Sequence, residues 1–168
     1  MKKYLIVLQI FITAFAFANK DFSYQDLSGK DFSNQDLTGA NFSGAILCNT
    51  FFYNANLTNA DFTDSMLMQA TFNNCTLVNT NYTNADLSNA WFEGENIYSK
   101  GTIFNGACLY RTRFADSGGN HTSWVNADFS NAKGLDCCTS PLFYYNYNET
   151  INTNRFPGAK FCNIILQG

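Results

Sequence analysis

A solenoid is the fold class this sequence predicts, and three observations predict it. A bulky residue occupies every fifth position from Phe22 to Ile97, sixteen centres in one phase. The residue two places before a centre is usually small, as at Ala40, Ala60 and Ala85, so large and small side chains can fill a narrow interior together. A period of five fits neither the 3.6 of a helix nor the 2 of a strand. A unit this short cannot bury its own apolar face and must stack on its neighbours.

The chain opens with Met1-Lys2-Lys3, an apolar run from Tyr4 to Phe17 and the small-residue pattern Ala16-Phe17-Ala18. That is the three-part form of a secretory signal peptide, so residues 1–18 are expected to be removed before Asn19. The run is shorter than the roughly 20 apolar residues of a membrane span and contains Gln9 and Thr13. Export to a periplasm or out of the cell follows, with no membrane span after cleavage. The formal net charge is −3 at pH 7 and becomes more negative once Lys2 and Lys3 are gone. An acidic chain is a poor partner for nucleic acid or an anionic membrane surface.

Within the repeat, the position before a centre is usually Asp or Asn, the next one Ser or Thr, and the one after that Gly or Asn. Asn and Gly tolerate positive φ and suit corners. Segments such as Ala60-Asp61-Phe62-Thr63-Asp64, Ala85-Asp86-Leu87-Ser88-Asn89 and Ala127-Asp128-Phe129-Ser130-Asn131 resemble the pentapeptide repeat family. The resemblance covers about residues 20–135. It implies an all-β fold, a right-handed, four-sided parallel β-helix with four pentapeptides per coil and about five coils. Residues 19–135 then form the β-helix.

After Ile97 the phase slips, with two extra positions expected among Tyr98 to Gly101, and it resumes at Phe104, Leu109 and Phe114. The next centre falls on Gly119, which cannot fill a core place, so Ser117-Gly118-Gly119-Asn120 is expected to bulge. Four sides per coil stack the two irregularities on one side. Residues 136–168 lack the fivefold phase and carry six aromatic residues between Phe143 and Phe161. An open solenoid end exposes apolar core and unpaired strand edge, so this tail is expected to cap it. A homodimer through the same tail is the alternative.

Reading every twentieth residue down one side exposes a departure from the repeat. Ile46, Cys48, Phe51, Tyr53, Met66 and Met68 gather at one corner, at places where the repeat normally puts Asp, Asn, Ser or Thr. Exposed apolar patches of this kind mark interaction sites, which makes these six residues the candidate partner surface. Asp21, Asp26, Asp31 and Asp36 form a ring around the first coil. Some members of the pentapeptide repeat family are similar to DNA in shape and charge and bind DNA gyrase. The resemblance therefore implies a second role, a gyrase-directed DNA mimic, which the interrupted acid pattern and export both oppose.

No catalytic set, metal site or cofactor site is expected. His121 is the sole histidine and sits in a Gly-rich segment, and Cys137-Cys138 lack the spaced ligand pairs of a zinc site. The sequons at Asn41, Asn56 and Asn81 arise automatically from the repeat. The leading expectation is an exported, non-enzymatic scaffold that binds a protein or an envelope component through its outer faces. Cys75 belongs inside, and Cys48 and Cys108 lie three coils apart, too far to bridge. That leaves Cys108, Cys137, Cys138 and Cys162 as candidate disulfide cysteines able to pin the tail. Intact-mass analysis of the exported protein is expected to show at least one disulfide involving Cys162, and six free thiols would exclude it.

Overall fold

Four parallel bridges close each coil in the computed structural model, which describes residues 20–94, 97–114, 123–136 and 165–167. Asp21 pairs with Asn41, Asp26 with Ile46, Asp31 with Phe51 and Asp36 with Asn56. All four sit immediately before a centre, one on each side of the coil. Sides 1 to 4 are numbered here from Phe22, Leu27, Phe32 and Leu37. The side 1 ladder then runs on through Asn41, Asp61, Asn81, Ile103 and Asp128. Residues 1–18, expected to be a signal peptide, and the tail from Cys137 to Ile164 lie outside the described residues.

Backbone pairing runs upward and downward from each side. Phe42 donates its N–H to the Asp61 carbonyl at 2.7 Å, and Asp61 donates to Ala40 at 2.9 Å. Between sides the chain makes a tight turn, with Ala45 N–H donating to the Phe42 carbonyl at 3.1 Å. Such a turn requires positive φ at its third residue. Asn54, Asn59, Asn74 and Asn79 supply it, with φ between 53° and 57°. At Gly106 an added Cβ would lie 2.5 Å from the Asn84 Oδ1 of the coil below, so that amide would have to shift to admit a side chain. Each side is so short that few continuous strands result. They are β1 (Tyr98–Lys100), β2 (Ser123–Val125), β3 (Lys133–Asp136) and β4 (Ile165–Gln167). Strand β1 pairs with β2 and β3 with β4, both parallel, the latter with a register shift between Lys133 and Leu135.

Because Phe or Tyr alternates with Leu along the repeat, aromatic rings fall on sides 1 and 3 and leucines on sides 2 and 4. Phe42 and Phe62 stack on side 1 with centroids 4.8 Å apart, and Phe52 and Phe72 on side 3 at 5.0 Å. Across the interior the two columns meet edge to face, as Phe62 and Phe72 do at 5.9 Å and 89°. Offset-stacked and edge-to-face contacts are the favoured aromatic geometries. Each buried centre contributes roughly 1.5–3 kcal/mol before entropy is charged. Where the small inner position carries a hydroxyl, it is satisfied by backbone. Thr50 donates to the Leu47 carbonyl, Ser65 to Phe62 and Thr80 to Leu57.

The structure corrects the reading of Ile97 as the sixteenth centre. Thr76 pairs with Tyr98, an offset of 22, and Leu77 donates to the Tyr98 carbonyl. Ser99 therefore takes the side 4 place above Leu77, and Ile97 falls above Cys75 at the small inner position. The two extra residues enter between Phe92 and Ile97, not after it. Gly119 is corrected likewise: the register of β1 and β2 sets Trp124 above Ser99, so Trp124 is the side 4 centre of that coil. Both insertions enter at the corner between sides 3 and 4, so the two irregularities do share one edge of the solenoid.

One core group is left unsatisfied. The Tyr82 hydroxyl is buried within the side 1 column and has no hydrogen-bond partner. Burial also pushes its ionisation far above the usual phenol range. Replacing Tyr82→Phe matches it to its stacked neighbours Phe62 and Phe104 and is expected to stabilise the fold by about 1 kcal/mol, read as a higher Tm. A lower Tm would show that the hydroxyl is satisfied.

Candidate partner-binding surface

The outward side chains of the repeat serve first as turn chemistry. Asp26 Oδ1 accepts from Ser28 N–H at 3.0 Å and from Ser28 Oγ at 2.7 Å, and Asp36 Oδ1 accepts from Thr38 N–H and Oγ1 at 3.0 and 2.6 Å. Asn41 with Ser43, Asn56 with Thr58 and Asn81 with Thr83 repeat the arrangement. The three sequons are thus side-chain-to-backbone bonds that hold each side in place. For Asp26 and Asp36 the neighbouring hydroxyl, then the neighbouring backbone N–H, hold the carboxyl below the ordinary carboxylate range. Lys20 adds an ion pair to Asp36 at 3.7 Å.

The apolar corner lies between sides 2 and 3. Ile46 and Met66 are bridge partners on side 2, exposed by 37% and 41%, against full burial of the adjoining centres Leu47 and Leu67. Phe51 and Tyr53 on side 3 are similarly exposed and stack on each other at 6.0 Å. Cys48 and Met68 are half-buried beside them, the Cys48 thiol pointing to the Met66 carbonyl at 3.9 Å. The six residues form a band over the second and third coils.

The same corner carries different chemistry beside this band and in the coils above, and every-twentieth counting loses its last members, Arg111 and Arg113, because the offset there becomes 22. Asn49, Gln69, Asn89 and Arg111 occupy one corner position in successive coils, all with φ between 53° and 60°. Next to them on side 3, Trp91 is bridged to Arg113, whose guanidinium lies 4.6 Å above the indole. These residues line a groove of about 840 Å³ together with Tyr53, Thr71, Asn73 and Glu93. Counting ladder partners rather than residues would have found it.

Among the cysteines, Cys75 is buried at a small inner position, and desolvation pushes its thiol up to about 12. Cys48 and Cys108 are free thiols. Cys108 sits at an outward, half-buried position on side 2, its Sγ 3.3 Å from Ser88 Oγ. The other candidate disulfide cysteines, Cys137, Cys138 and Cys162, lie outside the described residues, as does His121. Among the described residues no group of three His, Cys, Asp or Glu side chains could hold a metal ion, and no helix is long and apolar enough to cross a membrane.

Twenty-residue coils of five-residue sides, with centres inward and turn pairs outward, define a parallel β-helix repeat protein. Residues 25–100 match the family described as pentapeptide repeat region, and that part of the chain is a run of pentapeptide repeats. Among solved structures it is similar to a pentapeptide repeat protein from the Arabidopsis thaliana thylakoid lumen. The two are 26% identical over 66% of this chain and 69% of that one, with a TM-score of 0.42. It is also similar to HetL, a pentapeptide repeat protein involved in heterocyst differentiation regulation in a Nostoc cyanobacterium, at 18% identity, 94% and 78% coverage and a TM-score of 0.39. QnrB1, a plasmid-mediated fluoroquinolone resistance protein, matches at 15% identity, 84% and 86% coverage and a TM-score of 0.31. No curated protein matches the chain.

The lowered carboxyls make a stability prediction with a definite sign. A group whose folded pKa is depressed contributes stability above its unfolded value, and that contribution is lost as pH falls through the folded value. Tm is therefore expected to fall as pH drops below about 4, the ordinary Asp value. A protein with both Asp26→Asn and Asp36→Asn keeps the accepting oxygens, so its Tm at neutral pH should stay close to that of the unaltered chain while its acid decline becomes shallower. An unchanged acid decline would show that these two carboxyls carry none of it.

Proposed function

We propose that the chain is an exported, non-enzymatic scaffold that binds a protein or cell-envelope partner through the corner holding Ile46, Cys48, Phe51, Tyr53, Met66 and Met68. The observation that carries this reading is the exposure of Ile46, Phe51, Tyr53 and Met66 at positions the repeat otherwise gives to turn-forming polar residues. Apolar surface concentrated at one corner favours association. Among the described residues the coil interior is filled by the centres and the small inner side chains, which leaves little room there for a reaction.

In this reading residues 1–18 direct export to the periplasm or beyond, 19–135 form a right-handed β-helix of about five coils, and 136–168 cap its upper end. The parallel pairing of β4 (Ile165–Gln167) on β3 (Lys133–Asp136) supports the cap, because it brings the chain end back onto the last ladder. The competing reading, a DNA mimic bound to gyrase, calls for carboxylates in lengthwise rows. The side 2 ladder instead runs Asp26, Ile46, Met66, Asp86, Cys108, Lys133, which favours the scaffold.

The test replaces Ile46→Ser and Met66→Ser together, since both side chains are exposed and the fold should survive. Cross-linking from this corner in cells expressing the full chain is expected to capture a partner that the double variant captures at least about tenfold less, the loss expected when interface anchors are truncated. Gyrase supercoiling is expected to proceed unchanged in the presence of the protein. Equal capture by both proteins, or inhibition of supercoiling, would overturn the reading.

A further inference from the structure

The groove along the corner between sides 2 and 3 differs from the other corners in how it uses its amides. At the corner after side 3, Asn54 Nδ2 donates to Asn34 Oδ1 at 3.1 Å, and after side 4 Asn79 Nδ2 donates to Asn59 Oδ1 at 3.2 Å. Those amides are spent on one another. Asn49, Gln69 and Asn89 occupy the equivalent place after side 2, and none makes a side-chain hydrogen bond among the described residues. Three amides, one per coil, thus face the groove with donor and acceptor both available.

Charge and rings complete the site. Arg113 lies over the Trp91 indole at 4.6 Å and Arg111 over the Tyr110 ring at 5.1 Å, so both guanidiniums rest against aromatic rings. Neither is in an ion pair among the described residues, where Lys20 with Asp36 forms the single one recorded. Tyr53 presents a ring, 40% exposed, at the lower end. From the coil of Tyr53 to that of Arg113 is three coil steps, roughly 14 Å at the ~4.8 Å strand spacing.

We propose that this groove binds a linear acidic glycan. The three amides, one per coil at the ~4.8 Å strand spacing, meet the hydroxyls of successive sugars. Tyr53 supplies a face for sugar C–H groups, and Arg111 and Arg113 take carboxylates with the planar fork suited to them. An acidic peptide fits less well. Peptide grooves offer a free sheet edge and apolar pockets for alternate side chains, whereas here the strand edges are already bonded between coils and the wall is mostly polar, with two guanidiniums against the single Glu93 carboxylate and amides between them. The site shares only Tyr53 with the apolar corner and stands whether or not that corner binds a partner.

Calorimetric titration of the full chain with hexameric oligogalacturonate tests the proposal, with cellohexaose as the neutral glycan and polyglutamate as the acidic peptide. Oligogalacturonate is expected to bind, cellohexaose and polyglutamate to bind at least about tenfold more weakly, and Arg113→Gln to weaken oligogalacturonate by about tenfold, the scale of a charge-assisted hydrogen bond. Trp91→Ala should do the same by releasing Arg113, while the Ile46→Ser and Met66→Ser double variant leaves glycan binding unchanged. Arg113 is exposed, so its variant keeps the test decisive should Trp91→Ala unfold. Absence of oligogalacturonate binding, equal binding of polyglutamate or cellohexaose, or equal affinity of the Arg113→Gln protein would overturn it.

Discussion

Each coil can bond to the next only if every side rises above its predecessor in register, because the N–H and C=O groups of one side have nowhere else to go. Phe42 donating to Asp61 and Asp61 donating to Ala40 express that constraint, and the same exchange repeats on all four sides. Buried backbone groups left without partners are costly. The constraint explains why five-residue sides persist, and why both departures in length enter at one corner. The extra residues fall between Phe92 and Ile97 and between Phe114 and Trp124, each time between side 3 and side 4, and the ladders resume in register after them.

The same constraint separates residues that hold the fold from residues free to do something else. An Asp or Asn before a centre and a Ser or Thr after it are bonded to each other, so the acids of the first coil owe their place to turn geometry. Their abundance is not by itself a sign of DNA mimicry. The informative positions are those where the pair is missing. Ile46 and Met66 give up the accepting oxygen for exposed apolar surface, and Trp91 and Arg113 give it up for a ring and a guanidinium. A departure repeated in consecutive coils of one column sacrifices several turn bonds together.

Much of this was legible in the residues. The fivefold spacing gave the centres from Phe22 to Phe92, the small residues at Ala40, Ala60 and Ala85 gave the second inner position, and Asn and Gly gave the corners. Ile97 misled because an apolar side chain is equally at home in either inner position, so burial pattern could not tell which frame held it. Gly119 misled separately, because counting in fives from Phe114 puts a centre there while the register of β1 and β2 gives that side 4 place to Trp124. The turn role of Asp26 and Ser28 was invisible because hydrogen-bond pairing has no hydropathy signature. The groove was missed because Arg111 and Arg113 lie 22 residues above their ladder partners, outside any fixed count of twenty.

Bridge partners separated by a nearly constant stretch of chain have a consequence for how the molecule is made. Adding a coil closes a loop of about twenty residues each time, so the entropic cost of each addition is nearly the same. The first two coils must meet with no template, and every later one lands on a finished edge. Assembly can then proceed in chain order as a growing end. A chain delivered from one end suits such a process, since no segment has to wait for a distant one before it can settle.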